Sequence, residues 1–88
     1  MPNSQITRQD AMVMIVNAMK AAGKLQSTAS TSVLYNFSDG STVAGYAQQA
    51  VSSLVQMGAV NGSNGRLNPR AAITRAEMAV ILHFVMTA

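Results

Sequence analysis

Apolar positions gather in three runs along this 88-residue chain, and helix-start or helix-stop chemistry frames each run. The first holds Ala11, Met12, Val13, Met14, Ile15, Val16, Ala18, Met19 and Ala22. It predicts a helix from about Arg8 to Ala22, stopped by Gly23. Apolar on nearly every face, such a helix is expected to be buried on all sides. The second run places Val43, Ala47, Ala50, Val51 and Leu54 on a single stripe, opposite Gln48, Gln49, Ser52, Ser53 and Gln56. It predicts an amphipathic surface helix from about Val43 to Met57, capped by Ser41 or Thr42 and ended by Gly58. The third run predicts a helix from Arg75 to about Met86. Residues 24–36 are rich in Ser and Thr and read as a loop with one short turn. Phe37-Ser38-Asp39-Gly40 reads as a turn, and Gly58 to Pro69 as a loop zone. Asn61-Gly62 and Asn64-Gly65 are turn dipeptides there, with flanks too short for a substantial sheet. The expected class is all-α with long loops.

A repeat underlies this pattern. Ile6-Thr7-Arg8-Gln9-Asp10 returns as Ile73-Thr74-Arg75-Ala76-Glu77, offset by 67 residues (73 minus 6), and Pro2 and Pro69 keep the same offset. A local signal repeated at a fixed distance marks a modular fold. Each copy has the form of a capping box, Thr7 with Asp10 and Thr74 with Glu77. The arginines are less readily explained. Arg8 and Arg75 stand at the first helical position, where the helix dipole disfavours a cation by roughly 0.3–1 kcal/mol. Unpaired N–H groups at a helix start attract anions, and a guanidinium fork adds bidentate recognition of carboxylate or phosphate. Two readings stay open. Each arginine pairs with a nearby acid or stands solvated, or each binds an anionic ligand.

Composition narrows the classes. Hydrophobic residues make up 49% and charged ones 10%, which excludes compositional disorder. The net charge of +3 is scattered, and the aromatic residues are only Tyr35, Phe37, Tyr46 and Phe84. A basic stripe with stacking rings is missing, so nucleic acid is not the expected partner. A small helix-turn-helix DNA binder is a distant third reading. One histidine, no cysteine, no phosphate loop and no nucleophile elbow leave no catalytic, metal or cofactor site to propose. His83, inside the third run, is expected in a core or interface, and the seven methionines read as core filler. The longest apolar stretch, Met78 to Met86, falls short of the ~20 residues needed to span a bilayer. Met1-Pro2-Asn3-Ser4 has no signal-peptide layout. Because the chain opens almost directly on a helix cap, it reads as a piece of a longer protein.

The order Phe37-Ser38-Asp39, Tyr46-Ala47, Ala50-Val51, Leu54, Gly58-Ala59-Val60, Gly62, Gly65-Arg66-Leu67-Asn68-Pro69 and Ile73-Thr74-Arg75-Ala76-Glu77-Met78 resembles a complete S-layer homology repeat. Residues 37–88 would form that repeat, 24–36 a connecting loop, and 1–23 the closing helix of a partial repeat before it. Three departures stand out: Tyr46 where the family usually has Trp, Leu67 where it has Phe, and Gln9-Asp10 in place of Ala-Glu. The resemblance implies about one and a third repeats of a pseudo-threefold helical spindle. Its grooves would bind an anionic secondary cell-wall polysaccharide, often pyruvylated, at the bacterial surface. Carried over by motif, the ligand-contacting arginine is Arg75, with Arg8 in the partial copy.

Other candidate contacts are Asp39, Tyr46, Asn61, Gly62 and Ser63. The competing readings make Asp39 a turn residue, Tyr46 a cover for a helix junction, and the Asn61-Gly62-Ser63 stretch a purely conformational turn. Thr7, Asp10, Thr74 and Glu77 are expected as caps. Two all-round apolar helices with one amphipathic helix to cover them predict a homo-oligomer, dimer or trimer, or burial against further repeats of a parent protein. The other function class in play is a structural self-assembly module of a surface layer that binds protein rather than glycan.

Overall fold

The computed structural model describes residues 5–24, 30–62 and 64–87. Its helices are α1 (Arg8–Ala21), α2 (Gln48–Gln56) and α3 (Arg75–Thr87), with 3-10 turns at Thr31–Asn36, Gly40–Thr42 and Gly45–Ala47. Among the described residues there is no strand, and Thr7 and Ala72 form an isolated antiparallel bridge. The fold is all-α with long loops, as the apolar pattern predicts.

Both flanking helices start on their threonines. Thr7 is extended, and its hydroxyl accepts from the Asp10 N–H at 3.2 Å. Thr74 makes the full reciprocal box: its Oγ1 accepts from the Glu77 N–H at 3.1 Å, and its own N–H donates to Glu77 Oε1 at 3.0 Å. Thr74→Ala is expected to cost about 1 kcal/mol. For a domain of this size that lowers the melting temperature by roughly 4–8 °C. Thermal unfolding followed by circular dichroism measures it, and an unmoved midpoint would show that the cap contributes nothing. At the far end of α1, Gly23 takes φ +71°, and Lys24 N–H reaches back to the Met19 carbonyl at 2.8 Å. That is the Schellman stop which only a residue tolerant of the left-handed region allows.

The middle helix differs from expectation in extent and in burial. Regular helix begins at Gln48, not Val43, and neither Ser41 nor Thr42 caps it. The Thr42 hydroxyl donates to the Asp39 carbonyl at 2.7 Å, inside its own 3-10 turn. Val43 and Ala44 are extended, with ψ 126° and 146°, so the chain is not helical there, and Gln9 Oε1 takes the Ala44 N–H at 2.9 Å. α2 is central rather than superficial. Ala50, Val51, Ser52, Ser53 and Leu54 are all buried, two of them from the presumed polar face. Ser53 satisfies its hydroxyl on the Gln49 carbonyl at 2.9 Å.

The outer helices are the ones left partly bare. α1 buries one face, through Ala11, Met12, Ile15, Val16 and Met19, and exposes Met14. α3 buries only Ile81 and Val85, while Val80, Leu82, Phe84 and Met86 are exposed. His83 is exposed as well, so it is not a core residue. The repeat makes the contrast sharp. Met12, Ile15 and Met19 are buried, whereas their counterparts 67 positions on, Ala79, Leu82 and Met86, face outward. The one short turn expected within residues 24–36 is Thr31–Asn36, capped by Ser30 and planted in the core by Leu34. In the loop after α2, Asn64 and Gly65 both have positive φ, as the two central residues of a type I′ turn require.

Candidate functional site

The two copies of the repeated motif lie side by side. Arg8 N–H donates to the Ala71 carbonyl at 2.8 Å, Gln9 N–H to the Pro69 carbonyl at 2.9 Å, and Ile73 N–H to the Ile6 carbonyl at 3.0 Å. This pairing brings the start of α1 against the start of α3. Arg8 therefore points across the junction. Its Nε donates to the Leu67 carbonyl at 3.0 Å, and its Nη1 forms an ion pair with Glu77 Oε2. The side chain is only 13% exposed, and burial lowers its pKa from the ordinary arginine value. A guanidinium remains charged under such conditions.

Arg8 also lines a cavity of about 330 Å³, together with Glu77, Val60, Asn61, Gly62 and Val80. Segments far apart in sequence supply this wall: the start of α1, the loop after α2, and the first turns of α3. Gly62 has φ +76°, and a Cβ there would meet the Arg66 carbonyl oxygen and the Phe37 ring at 2.8 Å. The loop can close so tightly on the Arg66 backbone and the Phe37 ring only because this residue is glycine. Of the five N–H donors on the guanidinium, Leu67 and Glu77 engage two. Ser63, the next candidate contact in the chain, lies outside the described residues.

Arg75 is placed differently. It is exposed, and among the described residues it has no ion pair. It borders a second concavity with Ile6, Ile73, Thr74, Met78 and Leu82, which shares Ala76 with the first. The two arginines thus flank the same helix start, Arg8 largely buried in the wall of the first groove and Arg75 exposed beside the second.

Asp39 and Tyr46 lie apart from both arginines. The Asp39 carboxylate accepts from Leu67 N–H at 2.8 Å and Asn68 N–H at 2.9 Å, pinning the loop that carries Pro69. Burial alone would raise its pKa. The backbone N–H groups of Leu67, Asn68 and Asp39 itself, with the Arg66 charge, outweigh that and hold it below the ordinary carboxylate value. With the folded value depressed, Asp39 contributes stability at neutral pH that disappears as pH falls through that lowered value. Tyr46 is 66% exposed and donates its hydroxyl to Asp10 Oδ1. That bond, helped by some burial and by the Asp10 charge, raises the phenol pKa against a smaller opposing effect of Arg70. Asp10 thus contributes its N–H to the Thr7 cap while its carboxylate serves the next segment.

One residue that sequence reasoning missed is Gln9. It is 6% exposed, and its carbonyl oxygen holds the Ala44 N–H. The only signal for it was its departure from the repeated motif, and the same is true of the Asp10–Tyr46 pair. Gln9 and the Asp10–Tyr46 pair thus tie the first copy to the segment before α2.

The S-layer homology domain pattern matches residues 36–79, half of the chain. The chain is also similar to the "Surface-layer 125 kDa protein" of Lysinibacillus sphaericus, with 37% identity over 84 residues, and it spans 91% of its own length but only 6% of that relative's. No solved structure matches it. From the matched pattern, the helical build and the doubled Thr-Arg motif, the chain belongs to the S-layer homology domain family, whose place is the wall-bearing cell surface.

Proposed function

We propose that the chain anchors its parent protein to the cell wall by binding an anionic, pyruvylated secondary wall polysaccharide, without catalysis. One observation carries the reading. Arg8, Asn61 and Gly62, drawn from separate segments, converge on one groove beside the positive end of α3. A pyruvyl ketal is a singly charged carboxylate on a sugar. It would take the guanidinium donors that Leu67 and Glu77 leave free, while the apolar wall of Val60 and Val80 receives the sugar body. Arg75 is the corresponding contact of a second groove, whose opposite wall a further repeat would supply. In this reading residues 1–23 close a partial repeat, 24–36 connect, and 37–88 form a complete repeat.

The test is retention of the chain on purified wall polysaccharide with and without its ketal groups. Retention on the ketal-bearing polymer and loss on the stripped one is the expected result. Equal retention on both would remove the pyruvyl group from the account. A second reading, a self-assembly module that binds protein, is favoured by the exposed Val80, Leu82 and Met86 on α3. It predicts retention on wall material from which the secondary polymer has been removed. Self-association as dimer or trimer, or packing against further repeats, belongs to either reading, because both leave the α3 face to be covered.

A further inference from the structure

Glu77 stands in the proposed groove as a fixed negative charge, and this bears on which anion the groove can accept. Its two carboxylate oxygens are divided between two tasks. Oε1 accepts from the Thr74 N–H at 3.0 Å and holds the helix start, while Oε2 pairs with Arg8 Nη1. Both Glu77 and Arg8 line the cavity, so an entering anion meets a guanidinium whose charge Glu77 already balances. The first copy of the motif provides an internal comparison. Its equivalent acid, Asp10, turns its carboxylate to the Tyr46 hydroxyl instead. Glu77 is thus not merely a cap. A cap needs one oxygen, and the second is spent on the arginine of the neighbouring copy.

We infer that Glu77 is a specificity-determining residue of this groove: a resident counter-ion that competes with the ligand for Arg8 and admits singly charged carboxylates in preference to doubly charged phosphates. The inference rests on the reading of the groove as an anion site. Repulsion between a fixed carboxylate and a ligand grows in proportion to the ligand's charge. Attraction to Arg8 grows likewise, but the pair has no net charge to offer. What remains for the ligand is the directional hydrogen bonding of the free N–H donors, which one carboxylate can satisfy. A dianion gains little more from those donors, and relative to an uncharged residue at position 77 it loses twice as much as a monoanion.

The experiment uses the whole chain and its Glu77→Gln variant. Glutamine keeps a carbonyl oxygen for the Thr74 cap and removes the charge. Binding is measured for a pyruvylated wall oligosaccharide and, by competition, for inorganic phosphate above neutral pH, with circular dichroism to establish that each variant is folded. The oligosaccharide is expected to bind the variant roughly tenfold more tightly than the parent chain, and phosphate to gain by a larger factor, so that discrimination between the two narrows. Glu77→Asp keeps the charge but shortens its reach to Arg8. It is expected to lie between the two, and it decides the matter should the glutamine variant not fold. Unchanged or weaker oligosaccharide binding by the folded variants overturns the inference, since Glu77 would then serve to orient Arg8. A parent chain that binds neither probe sinks the anion-site reading itself, and this inference with it.

Discussion

Gly40→Ala is expected to destabilise the chain by about 3 kcal/mol or more. Gly40 is buried, and its N–H donates to the Phe37 carbonyl at 3.1 Å. A Cβ built there overlaps the Leu34 backbone oxygen and lies 3.3 Å from the Leu34 Cβ. The oxygen cannot swing aside, because it accepts from the Phe37 N–H at 3.1 Å and belongs to the 3-10 turn that plants Leu34 in the core. Overpacking in a tight core usually costs about 1–3 kcal/mol, and a clash with backbone stands at or above the top of that range. Total stability for a chain of this length is on the order of 4–13 kcal/mol. Urea unfolding measures the loss. A midpoint lower by about 2 M or more is expected, given a slope near 1 kcal/mol per molar. Gly45→Ala is the control, since a Cβ there meets nothing within 4 Å. Equal behaviour of the two variants would mean that the close approach at Gly40 has been misjudged.

Removal of either arginine is expected to weaken retention on ketal-bearing polymer, with different side effects. A charge-assisted hydrogen bond contributes about 1.5–3 kcal/mol, which corresponds to roughly a 10- to 150-fold change in affinity. Arg75→Ala should lose within that range and leave helicity and melting temperature unchanged, because Arg75 is exposed and has no ion pair among the described residues. Arg8→Ala should lose at least as much affinity and lower stability too. It strips Glu77 of its partner and the Leu67 carbonyl of its donor. Arg8→Lys separates the two effects, as it retains the charge but not the fork. Full retention by both alanine variants would refute the site assignment.

Much of this was legible from the chain, and what was not has identifiable causes. Helix starts at Thr7 and Thr74 and the stop at Gly23 follow from local rules, and each appears at or within a residue of its expected place. The start of α2 differs from the apolar stripe because Val43 and Ala44 are extended, in a stretch that meets Gln9, 35 positions away, through the Ala44 N–H. Burial was misjudged in both directions for one reason. Periodicity ranks the faces of a single helix but does not say how many neighbours surround it. α2, with the clearest stripe, lies at the centre, and α3, apolar all round, has neighbours for two buried side chains. At the site, the sequence named Arg8, Asn61 and Gly62 without showing that they meet. It left open whether an arginine pairs with an acid or remains free, and each copy adopts a different answer.

The arrangement of α1 limits how identical chains can add to one another. In every molecule, the surface that the central segment offers to a helix of this kind is already filled by that molecule's own α1. The bare side of α3 has no such occupant among the described residues, so whatever covers Val80, Leu82 and Met86 must be supplied from outside this segment.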